Sequence, residues 1–311
     1  MKKASVFLFI TVLFSFLFSG RVEAQVRLNK VLIDSGILKA RLGDYASALR
    51  DLDKAVLTDS GSAEAFYNRG VLKYEMQDYQ GAINDFNRVL DLRKSYAEPF
   101  FHRALAKDAL KDYDGAINDY TRAVALKADF PDAFYNKGLD LMEMGNYTEA
   151  MMNFTRALQY KPVFPEAIYN RGLCSYNLKD YTAAIRDFNE AIKTDSMQAD
   201  YYSSRGVALA ATGQYQDAKL DFIHVISMRP GDIPALMNKA LAQMYLKQYA
   251  DAVATYSEII KLQANSDEAY TNRGVARQYL EKPEEACRDW EKASALGNEK
   301  ARSYLVKYCK K

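Results

Sequence analysis

The chain repeats itself every 34 residues. The stretch FYNRG at 66–70 returns as FYNKG at 134–138, IYNRG at 168–172 and YTNRG at 270–274. Aligned on these stretches, a small residue recurs in phase at Gly36, Gly70, Ala104, Gly138, Gly172, Gly206, Ala240 and Gly274. Eight segments follow one another without insertion: 29–62, 63–96, 97–130, 131–164, 165–198, 199–232, 233–266 and 267–300. A period of this size means stacked supersecondary units, each too small to bury its apolar face alone.

Each segment holds two helical patterns. In 63–96 the first covers AEAFYNRGVLKYEM and the second YQGAINDFNRVLDL, with Gln77-Asp78 between them and Asp78 placed to cap the second helix. Similar turns stand at Gly43-Asp44, Lys111-Asp112, Gly145-Asn146 and Lys179-Asp180. Apolar residues fall at helical spacing and nowhere alternate as in a strand. The predicted class is therefore all-α.

A glycine inside a helix costs about 1 kcal/mol relative to alanine. Six segments accept that cost at position eight, which implies that another helix approaches closely there. Position twenty is alanine in all eight segments, from Ala48 to Ala286, whereas position twenty-four is large: Leu52, Phe86, Tyr120, Phe154, Phe188, Phe222, Tyr256 and Trp290. Small against large is how helix pairs interlock. Position seventeen is tyrosine except at Pro283.

These marks resemble the tetratricopeptide repeat: Phe66, Gly70, Ala82 and Phe86 in one segment, Ala157 and Pro162 in another. The resemblance spans residues 25–300 and implies a right-handed superhelical solenoid of antiparallel helix pairs with a concave groove. Residues 301–311, ARSYLVKYCKK, carry an apolar stripe of Ala301, Tyr304, Leu305 and Tyr308 beside basic residues, as a capping helix requires.

Position seven departs from the family, which has an apolar residue there. It is arginine in five segments, and position twenty-three of those same segments is aspartate: Arg69 with Asp85, Arg103 with Asp119, Arg171 with Asp187, Arg205 with Asp221 and Arg273 with Asp289. Where position seven is lysine, at Lys137 and Lys239, position twenty-three is Asn153 or Thr255. The midpoint of seven and twenty-three falls in the turn, so the pairs stand level on antiparallel helices. They are expected to clamp each hairpin; a row of arginines for an anionic ligand is the alternative.

Residues 1–24 read as a secretory signal peptide: Lys2 and Lys3, an apolar run from Val6 to Phe18, and the exit Val22-Glu23-Ala24. The expected destination is the periplasm or cell envelope, or secretion. Without 1–24 the chain has 39 basic and 39 acidic residues, a balance that favours neither nucleic acid nor another polyanion as partner. In an exported chain, Cys287 on the last repeat helix and Cys309 on the capping helix are expected to pair, with Cys174 buried alone; separate thiols are the alternative.

No catalytic constellation is legible. His102 and His224 stand in different segments, the glycines are phased to helix packing, and no cysteine–histidine cluster suggests a metal or cofactor. The acidic residues at position two suit the helix dipole. In the family, ligands lie along the first helices. Mapping its groove positions here gives Tyr67, Tyr74, Phe101, Tyr135, Tyr169, Tyr176 and Tyr245, which serve either contact or packing between repeats, and a row of amides at position six: Asn68, Asn136, Asn170, Asn238 and Asn272. The row resembles the asparagine ladder of O-linked N-acetylglucosamine transferase, where amides hold a peptide backbone; bonding between repeats is the alternative. The carboxylate clamp that binds chaperone C-termini does not match, because position five is mostly aromatic and position two mostly acidic. The expected function is a non-enzymatic scaffold that binds a protein or peptide within an envelope complex. A self-assembling architectural subunit, or an accessory subunit presenting substrate to a separate enzyme, are the other readings.

Overall fold

The computed structural model describes residues 23–309. The expected signal segment therefore lies outside the described residues except for Glu23 and Ala24, which open the first helix; the last two residues of the expected cap also lie outside the described residues. All described elements are helical. After α1 (23–41) come α2 Tyr45–Thr58, α3 Ala63–Glu75, α4 Tyr79–Leu92, α5 Ala97–Ala109, α6 Tyr113–Leu126, α7 Pro131–Glu143 and α8 Tyr147–Tyr160. They form one compact body, residues 23–160. A second body, 161–309, holds α9 Pro165–Asn177, α10 Tyr181–Thr194, α11 Ala199–Ala211, α12 Tyr215–Met228, α13 Ile233–Tyr245, α14 Tyr249–Leu262, α15 Asp267–Tyr279, α16 Pro283–Ala295 and α17 Glu299–Tyr304. Within each body every helix packs on its successor, and alternate first helices also touch: α3 on α5, α5 on α7, α9 on α11, α11 on α13. Each body is an all-α solenoid of antiparallel pairs.

The local chemistry explains the pairs. Position fifteen has a positive φ in every repeat, from Gly43 at 81° and Gln77 at 63° to Glu281 at 58°. In repeat 2, Asp78 N–H reaches back to the Lys73 carbonyl (2.8 Å) and Gln77 N–H to Tyr74 (2.9 Å), a left-handed C-terminal cap. The next residue starts the second helix. The side chains of Asp44, Asp78, Asp112 and Asp180 accept from the backbone N–H three residues on. The turn thus stops one helix and starts its antiparallel partner within two residues. Pro283, the one exception to tyrosine at position seventeen, occupies the first helical position, where proline's missing N–H costs nothing.

Burial follows the repeat. The alanine at position twenty has no accessible surface in any repeat, and the large residue at twenty-four is at most 1% exposed. Position eight faces position twenty-four: a Cβ on Gly70 would lie 2.9 Å from the Phe86 ring, and one on Gly172 2.8 Å from Phe188. Where position eight is alanine, at Ala104 and Ala240, position twenty-four is tyrosine, Tyr120 and Tyr256.

The C-terminal end is closed. Asn298 accepts from Ala301 N–H, so α17 begins at Glu299, two residues before the expected start of the cap. A wider helical turn, Leu305–Cys309, continues it. Ala301 is buried against Trp290, whose ring lies 5.2 Å from Tyr304 and 5.7 Å from Tyr308. Cys287 and Cys309 are joined by a disulfide, with their Cα atoms 5.8 Å apart. Cys174 is free and buried, and burial pushes its thiol up to about 12.

Candidate partner-binding surface

The arginines at position seven belong to the scaffold. Arg69 donates from Nε and Nη2 to both oxygens of Asp85 (2.9 and 2.6 Å), and the same fork joins Arg103 to Asp119, Arg171 to Asp187, Arg205 to Asp221 and Arg273 to Asp289. The remaining nitrogen, Nη1, reaches an acceptor in the preceding repeat: Arg69 to Asp53 (2.8 Å), Arg103 to Asn87 (2.6 Å), Arg205 to Asn189 (2.7 Å) and Arg273 to the Ser257 hydroxyl (3.0 Å). Position four supplies an aromatic face beneath the guanidinium, 5.4 Å from Arg69 at Phe66 and 5.5 Å from Arg205 at Tyr202. Three of the aspartates bind a second cation one helical turn along: Lys73 on Asp85 (2.8 Å), Lys107 on Asp119 (2.7 Å) and Arg277 on Asp289 (2.7 Å). Each arginine thus ties its own hairpin, four of them also tie it to its predecessor, and the fork is spent before any anionic ligand arrives. Lys137 and Lys239 carry no such fork.

The expected tyrosine wall divides by position. At position five the rings lean inward onto their own position twenty-four: Tyr67 on Phe86, Phe101 on Tyr120, Tyr135 on Phe154 and Tyr169 on Phe188, with centroids 5.7–6.0 Å apart. They are half-buried packing residues. The Tyr67 hydroxyl lies 3.2 Å from His102 Nδ1, which is also 2.9 Å from the Glu98 carbonyl. A carbonyl only accepts, so Nδ1 carries the proton. Burial holds this imidazole below its usual range. The Tyr169 hydroxyl pairs with Ser204 at 3.0 Å. Positions twelve and thirteen stay nearer the surface. Tyr74 and Tyr176 are half-buried against Tyr79 and Tyr181. Tyr245 is 65% exposed and stacks on Tyr215, with centroids 4.4 Å apart; Tyr279 stacks likewise on Tyr249.

At position six, Asn68, Asn136 and His102 bond within their own helix. Asn68 Nδ2 donates to the Glu64 carbonyl (2.8 Å) and Asn136 Nδ2 to Asp132 (2.7 Å), and His102 in the same register takes Glu98. One amide N–H is thus committed, leaving the side-chain oxygen and the second N–H. Asn170, Asn238 and Asn272 occupy the same half-buried register on α9, α13 and α15. Sequence reasoning missed the position-twenty-five acceptors and the second cation at position eleven. The acceptors stand 16 residues before the arginine and the second cation four residues after it; only the latter, lysine or arginine in four repeats, shows as a repeated identity.

Among the described residues no group of three or more His, Cys, Asp or Glu could hold a metal ion, and no helix is long and apolar enough to cross a membrane.

Comparison with known proteins agrees with this geometry. The C-terminal part of a TPR repeat-containing protein from Cytophaga hutchinsonii superposes with a TM-score of 0.67 at 20% identity, covering 77% of this chain and 99% of that one. The pilF protein of Pseudomonas aeruginosa gives 0.59 at 17% identity, covering 70% and 99%. YrrB, described as a TPR protein with an unusual peptide-binding site, gives 0.56 at 21% identity, covering 60% and 97%. These likenesses are to the fold. No curated protein matches the chain in sequence. Sequence profiles described as tetratricopeptide repeat match residues 33–97, 135–196, 180–222 and 234–266, and one described as TPR repeat matches 109–145. With its period, its helix pairs and its small-against-large seams accounted for, the chain belongs to the tetratricopeptide repeat family.

Proposed function

We propose that the protein is an exported, non-enzymatic scaffold whose first-helix surface holds an extended protein or peptide segment within a cell-envelope complex. One observation carries the reading. The arginines and position-five aromatics are consumed by packing, while the position-six amides and the rings at positions twelve and thirteen remain partly accessible on the first helices. Amides that donate and accept, beside rigid aromatic rings, suit a peptide backbone with spaced side chains. YrrB, a TPR protein with an unusual peptide-binding site, supports peptide binding on this fold. The signal-like leader and the Cys287–Cys309 bond support export into an oxidising compartment.

The test is photocrosslinking in the producing cell, with the crosslinker placed at Asn136 or Tyr245 and, as controls, at Leu57 or Met197 away from the amide row. Discrete adducts from the first pair alone, in an envelope fraction, are the expected result. Equal labelling from all four sites, or adducts confined to the cytoplasm, would discard the reading. The architectural alternative has one observation in its favour: Val31, Leu38 and Leu42 on α1 are exposed, at 63%, 59% and 75%. Light scattering that gives a monomer at high concentration would remove it.

A further inference from the structure

We propose that the N-terminal body carries an anchor for one cationic side chain, lysine or arginine, of the bound segment, formed by Asp108, Asp140 and Glu143. The inference rests on the peptide-binding reading above and names the chemistry that one part of that surface recognises.

Two departures from the period meet there. Position ten is leucine, alanine or cysteine in seven repeats and Asp140 in the fourth. Position twelve is uncharged in seven repeats and Asp108 in the third. These two exceptions, on α5 and α7, lie within hydrogen-bonding reach of each other. Asp140 is 2% exposed and its Oδ2 has no partner. The Tyr120 hydroxyl, wholly buried, also has none, and the charges it feels most are Asp140 and then Asp108. Unsatisfied buried polar atoms on two different helices call for an explanation.

The groups facing the pair are all acids or phenols: Tyr74 from α3, Tyr113 and Tyr120 from α6, Glu143 from α7. The neighbouring cation, Lys107, is bound to Asp119. Elsewhere the scaffold gives each buried aspartate an arginine fork; here it supplies a second carboxylate. The three acids also form a gradient of depth. Glu143 is exposed, Asp108 half-buried and Asp140 buried. A long aliphatic stem ending in a charge fits such a gradient. Asp108 and Glu143 stand at positions twelve and thirteen, the register that exposes tyrosines in other repeats.

Two carboxylates in contact cannot both ionise cheaply, so the empty site keeps a shared proton. Burial, and then the Asp108 charge, push Asp140 up to about 8. An arriving ammonium or guanidinium takes over the proton's role. The proton leaves for solvent, the cation pairs with both carboxylates, and the charge balance is unchanged.

The experiment selects random octapeptides by display against the mature protein and against Asp108→Asn/Asp140→Asn. The expected result is a fixed lysine or arginine in peptides enriched by the wild type, and loss of that preference in the variant while other peptides still bind. Enrichment without a fixed basic residue would overturn the anchor and leave peptide binding intact. No enrichment at all would overturn both. A selected peptide is then titrated calorimetrically at pH 7 in two buffers of different ionisation enthalpy. The anchor requires a proton release that disappears in the variant, and about tenfold weaker binding to the surface variant Glu143→Gln. Buffer-independent heats, or full affinity for Glu143→Gln, would refute it.

Discussion

Repeats 2 and 4 are built on the same two helices and the same seam, yet they bury a carboxylate in opposite ways. In repeat 2 Asp85 lies between Arg69 and Lys73, at 2.6 and 2.8 Å, with all three side chains largely shielded from water. In repeat 4 position seven is Lys137, position twenty-three is Asn153, whose amide donates to Glu149 of its own helix, and the buried acid is Asp140 beside Asp108. The first arrangement completes its charge within the fold. The second leaves charge recognition unfinished. The backbone tolerates both because packing at positions eight, twenty and twenty-four is the same: Gly138 meets Phe154 as Gly70 meets Phe86. The seam carries the fold, and the polar positions around it are free to specialise.

The largest expected effect is in repeat 2. Asp85→Ala leaves Arg69 and Lys73 without their shared carboxylate, and breaking a buried pair from one side costs about 3 kcal/mol. Replacing Arg69, Lys73 and Asp85 together by Met, Met and Leu should recover most of that loss, because no charge is then stranded. Urea unfolding followed by helix content measures both. A loss below about 1 kcal/mol for Asp85→Ala would place the network among exposed ion pairs of little worth and erase the contrast with repeat 4.

Asp140→Leu should act in the other direction. The folded carboxyl is raised to about 8 from an ordinary 3.8, by burial and then by the Asp108 charge. The folded state therefore holds the proton that the unfolded state releases, so stability is full below the unfolded value, falls as pH rises between the two, and is level above the higher one. Removing the carboxyl removes that slope and should stabilise the protein by several kcal/mol at pH 8, with little change at pH 4. Unfolding midpoints at the two pH values decide it. Parallel pH profiles for the wild type and the variant would mean that Asp140 is solvated or paired.

Repeat 4 can also be given the clamp of repeat 2. Lys137→Arg with Asn153→Asp restores the residue pair that five other repeats possess, and should add about 1 kcal/mol, as hydrogen bonds to charged groups do at half-buried sites. Each single substitution should give less than half of this, and the coupling in a double-mutant cycle measures the clamp itself. No coupling would mean that the position-seven departure in repeat 4 has a cause other than loss of its partner.

How much of this was legible depends on how often it recurs. Glycine or alanine at eight, alanine at twenty and a large apolar or aromatic residue at twenty-four repeat eight times, so the helix pairs and their seam can be read from spacing alone. The arginine–aspartate pairing could be read because the two identities vary together. The link to the preceding repeat could not, because Asp53, Asn87, Asn189 and Ser257 share only the ability to accept a hydrogen bond. The inward lean of Tyr67 and Tyr169 was equally hidden: helical spacing places a residue on a face but does not set the depth of its ring. Asp108 and Asp140 occur once each. Their meaning lies in contact between neighbouring repeats, which one chain without a superposed backbone cannot reveal.

The smallest expected effect concerns the turn. Repeat 4 has glycine at position fifteen, Gly145 with φ of 78°, where repeat 2 has Gln77 at 63°. A left-handed conformation strains any residue with a Cβ by roughly 1–2 kcal/mol. Glycine avoids that strain but loses more backbone entropy on folding, by roughly 0.5–1 kcal/mol. The strain is the larger of the two, so Gln77→Gly should stabilise by about 0.5 kcal/mol. The reverse change, Gly145→Gln, should cost a similar amount, since nothing lies within 4 Å of a Cβ placed there and only the backbone is penalised. Opposite and equal shifts in the unfolding midpoint would show that the two turns are interchangeable and that the repeats differ only in their polar chemistry. Destabilisation by Gln77→Gly would mean instead that the Gln77 side chain supports its turn, and the difference between the repeats would then extend to their backbones.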